Sequence, residues 1–142
     1  MKQLLVIILP FLLLSIDVFF KTYSKYFVYK LLPNVQIIPT VYNPGIFFSM
    51  YTSYSTQIRI ILLLLFICLT LVLRQHMHIF AIQLIYIGIL SNMLDRILFA
   101  TVRDFLKVDF WFLSFVCNFA DLYINFGIII ILSQDIHTII KK

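Results

Sequence analysis

The sequence predicts an all-α integral membrane protein: four transmembrane helices, a small β-like extramembrane cradle between helices 1 and 2, and a short surface helix between helices 3 and 4. Three observations carry this prediction. Of 142 residues, 63% are hydrophobic and 12% charged, where soluble domains run at about half and a quarter. Mean hydropathy is +1.05. The apolar residues gather into four runs, and four spans of about 20 residues need roughly 80, which the chain holds with room for loops. The same figures exclude a water-soluble globule and a disordered chain. Residues 1–142 read as a single membrane domain with spans near 4–20, 57–73, 79–98 and 111–132 and the cradle near 21–56.

Each element has its own justification. Lys2 followed by the leucine-rich run 4–14 has the look of a secretory signal, but Ser15, Ile16, Asp17 and two Phe stand where a small-residue cleavage site belongs. Residues 4–20 are therefore read as a retained first helix. Pro33, Pro39 and Pro44 break the stretch 21–56, and 35–38 and 40–42 have strand-like composition. The run 58–73 ends at Arg74, Gln75 and His76. The run 79–98 carries Asn92, Asp95 and Arg96 near its end, and 100–110 is amphipathic, with Arg103, Asp104, Lys107 and Asp109. The fourth run, 111–132, contains Asn118, Asp121 and Asn125. No internal repeat is present.

Charge narrows the function classes. Eleven Lys and Arg against six acids, all of them Asp, give +5. That excess suits anionic lipid headgroups; without a basic stripe interleaved with aromatics, nucleic acid is not expected as a partner. His76 and His78 sit in a polar connector with no third ligand, so no metal is expected. Cys68 and Cys117 have no metal spacing and no disulfide is expected. Four spans put both termini on one side. Lys2, Arg74, Lys141 and Lys142 would then face Lys21, Lys25, Lys30, Arg59, Arg96, Arg103 and Lys107. A bare positive-inside count favours termini outside; setting Lys21, Arg96 and Arg103 aside as partners of Asp leaves a tie.

Carboxylates in a bilayer are expensive and mark function. Asp17 and Lys21, four apart, share a helix face, as an interfacial pair or as a tie to a lipid phosphate or a second helix. Asn92, Asp95 and Arg96 form one polar face, read as a structural Asp–Arg clasp. Asn118, Asp121 and Asn125 line another. Asp121 has no basic neighbour within a turn and must neutralise or find a partner. The candidate partner is Asp104, just ahead of the re-entering fourth helix. Two such carboxyls cannot both ionise easily; one anion and one acid make the general-base and carbonyl-polarising pair of aspartic proteases. No metal or cofactor is required. Asn43-Pro44-Gly45 reads as a turn or as a substrate-cradling loop.

Taken together these residues resemble the lipoprotein signal peptidase (signal peptidase II) family over nearly the whole chain. The resemblance rests on Asp17-x-x-x-Lys21, on Tyr42-Asn43-Pro44-Gly45-Ile46-Phe47-Phe48-Ser49, on Gly88-Ile89-Leu90-Ser91-Asn92-Met93-Leu94-Asp95-Arg96, on Val102-Arg103-Asp104-Phe105 and on Asn118-Phe119-Ala120-Asp121. It implies a bacterial inner-membrane enzyme with both termini cytoplasmic and its active site near the outer face, acting as a monomer. Such an enzyme cleaves the signal peptide of a diacylglyceryl-modified prolipoprotein just before the lipidated Cys and is inhibited by globomycin. It places catalysis on Asp104 and Asp121, and substrate-binding or site-supporting roles on Asn43, Gly45, Asn92, Arg96 and Asn118, with Asp17, Lys21 and Asp95 as further matches. Ile46-Phe47 replace the family's Ala-Ala, Ser91 replaces a Gly, and Ser114-Phe115-Val116-Cys117 stands where the family has Phe-Pro-x-Phe. The alternative is a proton- or ion-coupled transport subunit with Asp121 as carrier; the wholly apolar stretch 128–132 below it argues against a through-path. A non-catalytic assembly protein would leave both Asp unexplained.

Overall fold

The apolar run after Lys2 forms α1, Lys2–Tyr23, whose exposed side chains include the hydrocarbon groups of Ile8, Phe11, Leu12, Val18 and Phe19. A 3-10 turn at Ser24–Tyr26 leads into β1, Tyr29–Leu32, and β2, Val35–Asn43. The computed structural model describes residues 2–44 and 79–141, together with Ile61, Leu64, Leu65 and Cys68. Those four isolated residues are helical; the rest of the predicted second span, the His76–His78 connector and the Gly45 to Phe47 stretch lie outside the described residues. After them come α2, Ile79–Phe99, β3, Val102–Phe110, β4, Leu113–Cys117, and α3, Phe119–Ile140.

Among the described residues, α2 is the helix long and apolar enough to cross a membrane; the segment Phe119–Gln134 of α3 is apolar but shorter. The two helices approach closely because each contributes a glycine to the contact. A Cβ on Gly88 would run into the Ala120 carbonyl and lie 2.6 Å from Ile124 Cγ1. One on Gly127 would lie 2.6 Å from Ile85 Cγ1 and 2.8 Å from the Ala81 carbonyl. Small residues that let backbones touch are the usual way membrane helices pack, since lipid supplies no hydrophobic drive between them. Tyr123 on α3 donates from its hydroxyl to the Leu13 carbonyl of α1 at 3.3 Å.

The four strands form one antiparallel meander in the order β1-β2-β3-β4. Half of it comes from the segment after α1 and half from the segment between α2 and α3, joined by β2–β3 pairing, in which Val41 faces Asp104 and Asn43 faces Val102. The β2–β3 register slips between Ile37 and Val41, the stretch that contains Pro39; a residue without an N–H is tolerated at such an irregularity. Thr40 Oγ1 donates to the Lys21 carbonyl at 3.0 Å and shares a 2.6 Å hydrogen bond with Ser24, tying β2 to the end of α1. The sheet is pinned to the helices by Phe20, Phe105 and Phe119, one ring each from α1, β3 and α3. Phe20 stacks on Phe105 at 5.6 Å between centroids, and both meet Phe119 edge-on at 5.1 Å. Ile37, Leu106 and Cys117 complete this core.

Two expectations are corrected here. The fold is not all-α: the segment between α2 and α3, expected to hold a short surface helix, is a β-hairpin that completes the cradle. The reason lies in Leu106, Lys107, Val108, Asp109 and Phe110, whose strict apolar–charged alternation has the period of a strand. The fourth helix also begins later than the expected residue 111. Residues 113–117 are strand, and Asn118 is the N-cap of α3: its Oδ1 accepts the Asp121 N–H at 3.0 Å while Asp121 Oδ2 accepts the Asn118 N–H at 3.3 Å. That reciprocal pair is a capping box written with Asn and Asp. Asp121 therefore stands in the first turn of α3, at the start of the helix and not in the middle of an apolar run.

Candidate active site

At the sheet-facing ends of the helices lies a buried ion lattice. Asp17 and Lys21, on one face of α1, pair at 2.7 Å. Lys21 also reaches Asp95 on α2 at 3.2 Å, and Asp95 binds Arg103 of β3 at 2.8 Å. Arg103 donates through Nε, Nη2 and its own backbone N–H to the Asp95 carboxylate. Its guanidinium lies over the Phe99 ring, 4.4 Å from the centroid. Asp17 takes further bonds from the Ser91 hydroxyl and, at 3.1 Å, from the Ala120 N–H of α3. One compensated cluster thus ties α1, α2, β3 and α3 together, as a buried charge requires. The expected Asp17–Lys21 tie between helices is present, fully buried instead of snorkelling. The expected Asp95–Arg96 clasp is extended: Asp95 pairs with Lys21 and with Arg103, from beyond the helix end, and Arg96 feels its charge. Ala100, at φ 58, turns the chain back there, with its N–H on the Arg96 carbonyl at 3.1 Å. That is the left-handed stop common at helix C-termini.

The second cluster holds Asp104 and Asp121. Asn118 bridges them: its Nδ2 donates to Asp104 Oδ1 at 2.7 Å and its backbone N–H to Asp121 Oδ2. Because Asn118 Oδ1 is engaged as the cap, its amide cannot turn over without losing both bonds. Asn43, opposite Val102 and so on the same sheet face as Asp104, donates to Asp104 Oδ2 at 3.1 Å. Asn92 Nδ2 donates to Asp121 Oδ1 at 2.7 Å, and its Oδ1 accepts from Lys21 Nζ at 2.9 Å. The ammonium of the ion lattice thereby fixes which way the Asn92 amide faces. Arg96 lies within electrostatic reach of Asp121 and Asp104. Of the expected residues, Asp17, Lys21, Asn43, Asn92, Asp95, Arg96, Asp104, Asn118 and Asp121 converge on these two joined clusters. Gly45 lies outside the described residues, and Asn125 is exposed on α3.

Asp104 is 4% exposed. Burial, opposed by the Asn43 bond and reinforced by the charge of Asp121, pushes its carboxyl up to about 6, the behaviour of a carboxyl that can hold or release a proton near working pH. Cys117, the buried thiol beside them, is pushed up to about 12 by burial and then by Asp121 and Asp104. It stays a thiol and is no nucleophile. Arg103, Ser91 and the Phe20–Phe105–Phe119 cluster do not stand out as site residues in the sequence. The signal for Arg103 is its place next to Asp104, and for Ser91 its place next to Asn92.

The chain is similar to known proteins in sequence and in fold. Residues 9–137 match the family model described as Signal peptidase (SPase) II. The Lipoprotein signal peptidase of Fusobacterium nucleatum subsp. nucleatum is 31% identical, with 99% of this chain and 91% of that protein covered. That of Bartonella tribocorum is 31% identical over 82% of this chain and 80% of its own length. The fold is shared with a bacterial membrane enzyme solved in meso at 2.3 Å, at TM-score 0.79 and 23% identity over 96% of this chain and 91% of that one. A second bacterial membrane enzyme, solved in meso at 1.9 Å, superposes at TM-score 0.64 with 88% and 90% coverage. A match over almost the entire sequence, from α1 to the end of α3, makes this chain a member of the signal peptidase II family, a protease of bacterial membranes.

Proposed function

We propose that this chain is an aspartyl endopeptidase that removes the signal peptide of a diacylglyceryl-modified prolipoprotein just before the lipidated Cys, with Asp104 and Asp121 as the catalytic pair. The observation that carries this reading is the Asn118 bridge: two carboxyls seventeen positions apart meet at the rim of the helix bundle, held by amide N–H groups. An amide donor fixes a carboxyl in place whether or not it carries a proton on its other edge. One Asp, as the anion, takes a proton from water; the water oxygen attacks the scissile carbonyl; the other Asp, as the acid, hydrogen-bonds that carbonyl oxygen. The proton gained by the base then goes to the leaving amine. The pair titrates as a unit.

Asn43 and Asn118 orient Asp104, Asn92 orients Asp121, and Arg96 contributes positive potential. Asp17, Lys21, Asp95 and Arg103 hold the ends of the helices together under the site. Gly45, two positions after Asn43 in the sequence, is assigned to substrate binding. The whole chain acts as one domain, a monomer in the bacterial inner membrane with its sheet at the outer face and both termini cytoplasmic. A globomycin-type cyclic peptide competes for the cradle. Purified protein in detergent, given a diacylated precursor, should release the signal peptide with the new N-terminus at the modified Cys, as read by mass spectrometry. Normal cleavage by both Asp104→Asn and Asp121→Asn would overturn the assignment; a proton or cation flux in sealed vesicles without cleavage would favour the transport reading.

A further inference from the structure

The far end of the sheet has a feature that catalysis does not use. The β3–β4 hairpin turns at Trp111 and Phe112, between the paired residues Phe110 and Leu113. Phe110 is 62% exposed, Trp111 92%, Phe112 87% and Leu113 56%. Seven residues at about 3.3 Å each put this tip roughly 23 Å along the strand from Asp104. Trp111 has φ 50, a left-handed conformation that Asn or Gly adopts readily and a bulky aromatic does not. Tight turns facing water favour small polar residues. Here three aromatics stand in a row, two of them with stacked rings, Phe110 and Trp111, 6.4 Å apart.

Directly below the aromatics the hairpin is polar. Asp109 binds the Ser114 hydroxyl at 2.6 Å, Lys107 at 3.1 Å and Gln36 at 3.4 Å. The Asp109 N–H donates to the Asn34 carbonyl at 2.8 Å, so the β1–β2 turn lies against this neck and brings exposed Leu31 and Leu32 beside it. Lys30 and Lys107 add positive charge at the same level, the sign that headgroup phosphates attract. An apolar tip on a polar, cationic neck matches the gradient across a bilayer interface, where Trp and other aromatics settle at headgroup depth. Exposure of such a cluster to water is otherwise hard to account for in a folded chain. Both helices that flank the hairpin, α2 and α3, carry apolar outer surfaces, so a bilayer is already the solvent of this chain.

We propose that the Phe110-Trp111-Phe112-Leu113 tip is a membrane-surface anchor that seats the free end of the sheet in the headgroup and upper acyl region of the adjoining leaflet. The anchor fixes the tilt of the sheet, and with it the height of Asp104 on β3, relative to the bilayer. Trp111 is the sole tryptophan of the chain, so its emission reports on the tip alone. The full-length protein is reconstituted in vesicles of zwitterionic and anionic phospholipid, with iodide on both sides of the membrane or with lipids brominated at upper or terminal acyl carbons. The expected result is emission shifted to shorter wavelength than free tryptophan, loss of iodide quenching, and stronger quenching by the upper bromines. Emission at the free-tryptophan wavelength, open to iodide and untouched by bromine, would place the tip in water and overturn the proposal. Short-wavelength emission with no bromine quenching, reverting as the protein is diluted in lipid, would assign the tip to a second copy of the chain and overturn it equally. The measurement is independent of peptidase activity, so it stands or falls apart from the proposed reaction.

Discussion

Two pairs of carboxylates stand side by side in this protein and are held by opposite means. Asp17 and Asp95 face cations at ion-pair distance, Lys21 at 2.7 and 3.2 Å and Arg103 at 2.8 Å. Asp104 and Asp121 are held by the amides of Asn43, Asn92 and Asn118. The difference is chemical. A buried cation needs an anion beside it, so an ion pair of this kind serves to hold two elements together. A neutral amide supplies geometry with far less preference for charge, and leaves a buried carboxyl free to exchange a proton. The first pair holds helices, the second is the one proposed to do the chemistry, and Asn92 joins them, with Lys21 on its oxygen and Asp121 on its nitrogen.

The comparison breaks most visibly when each pair is neutralised. Asp104→Asn and Asp121→Asn should each lower kcat for a diacylated precursor by at least about 10³-fold, the scale of losing a positioned acid or base, while the protein remains folded and inserted. On the structural side, Lys21→Met should leave Asp17 without its cation and Asp95 with Arg103 alone. A loss of about 3–5 kcal/mol in stability is expected, read by thermal unfolding in detergent. Neutralising the pair as Asp17→Asn/Lys21→Met should recover most of it. If the doubly neutral variant is no more stable than Lys21→Met, the lattice is not held by charge compensation.

The sequence showed these two pairs unequally. Asp17 and Lys21 sit four apart on a helix, and the Asp104–Asp121 pairing followed from one unpartnered carboxyl seeking another. Arg103 reads in the sequence as a partner of an Asp, but that it meets Asp95 was not legible, because it depends on the left-handed turn at Ala100, a residue whose identity does not announce positive φ. The second half of the sheet was hidden for a different reason. Residues 111–117 are as apolar as a span, and hydropathy does not separate a strand that packs on aromatics from a helix in lipid. Two local signals point the other way: the period-two alternation in 106–110 and the Asn118-x-x-Asp121 capping pair that marks a helix start. The β2–β3 pairing joins segments 59 to 73 positions apart in the chain, a contact that no local pattern encodes.

The join between the pairs can be sharpened next. If Lys21 matters to catalysis by orienting the Asn92 amide, then Asn92→Ala should lower kcat by about 10-fold to 100-fold, with KM little changed. Adding Asp17→Asn/Lys21→Met to Asn92→Ala should cost much less than the product of the separate effects, since residues in one hydrogen-bond network couple. Full multiplicativity would show that the lattice acts on stability alone. The helix contact beneath gives a smaller perturbation of the same site. Gly88→Ala must displace the Ala120 carbonyl, one residue from Asp121, whereas Gly127→Ala meets chiefly Ile85 and Ala81, further from the site. Both should lower stability by roughly 1–3 kcal/mol, but only Gly88→Ala should also lower kcat in the folded fraction.

The two pairs also differ in their response to pH. Asp104 is raised from 3.8 to about 6, chiefly by burial. Between those values the folded chain holds a proton at Asp104 that the unfolded chain has released, so stability falls as pH rises through this window. Below about pH 4 both states are protonated and the penalty vanishes; above about pH 6 it is complete, of the order of 2–3 kcal/mol. Asp104→Asn has no proton to lose, but it presents one acceptor where Asn43 and Asn118 now find two oxygens, which adds an offset that does not vary with pH. The informative quantity is therefore the stability difference between Asp104→Asn and the parent protein, which should swing in favour of the variant from pH 4 to pH 7. A difference that stays flat across that window would mean that Asp104 does not exchange its proton there, and the contrast between the two pairs would be lost.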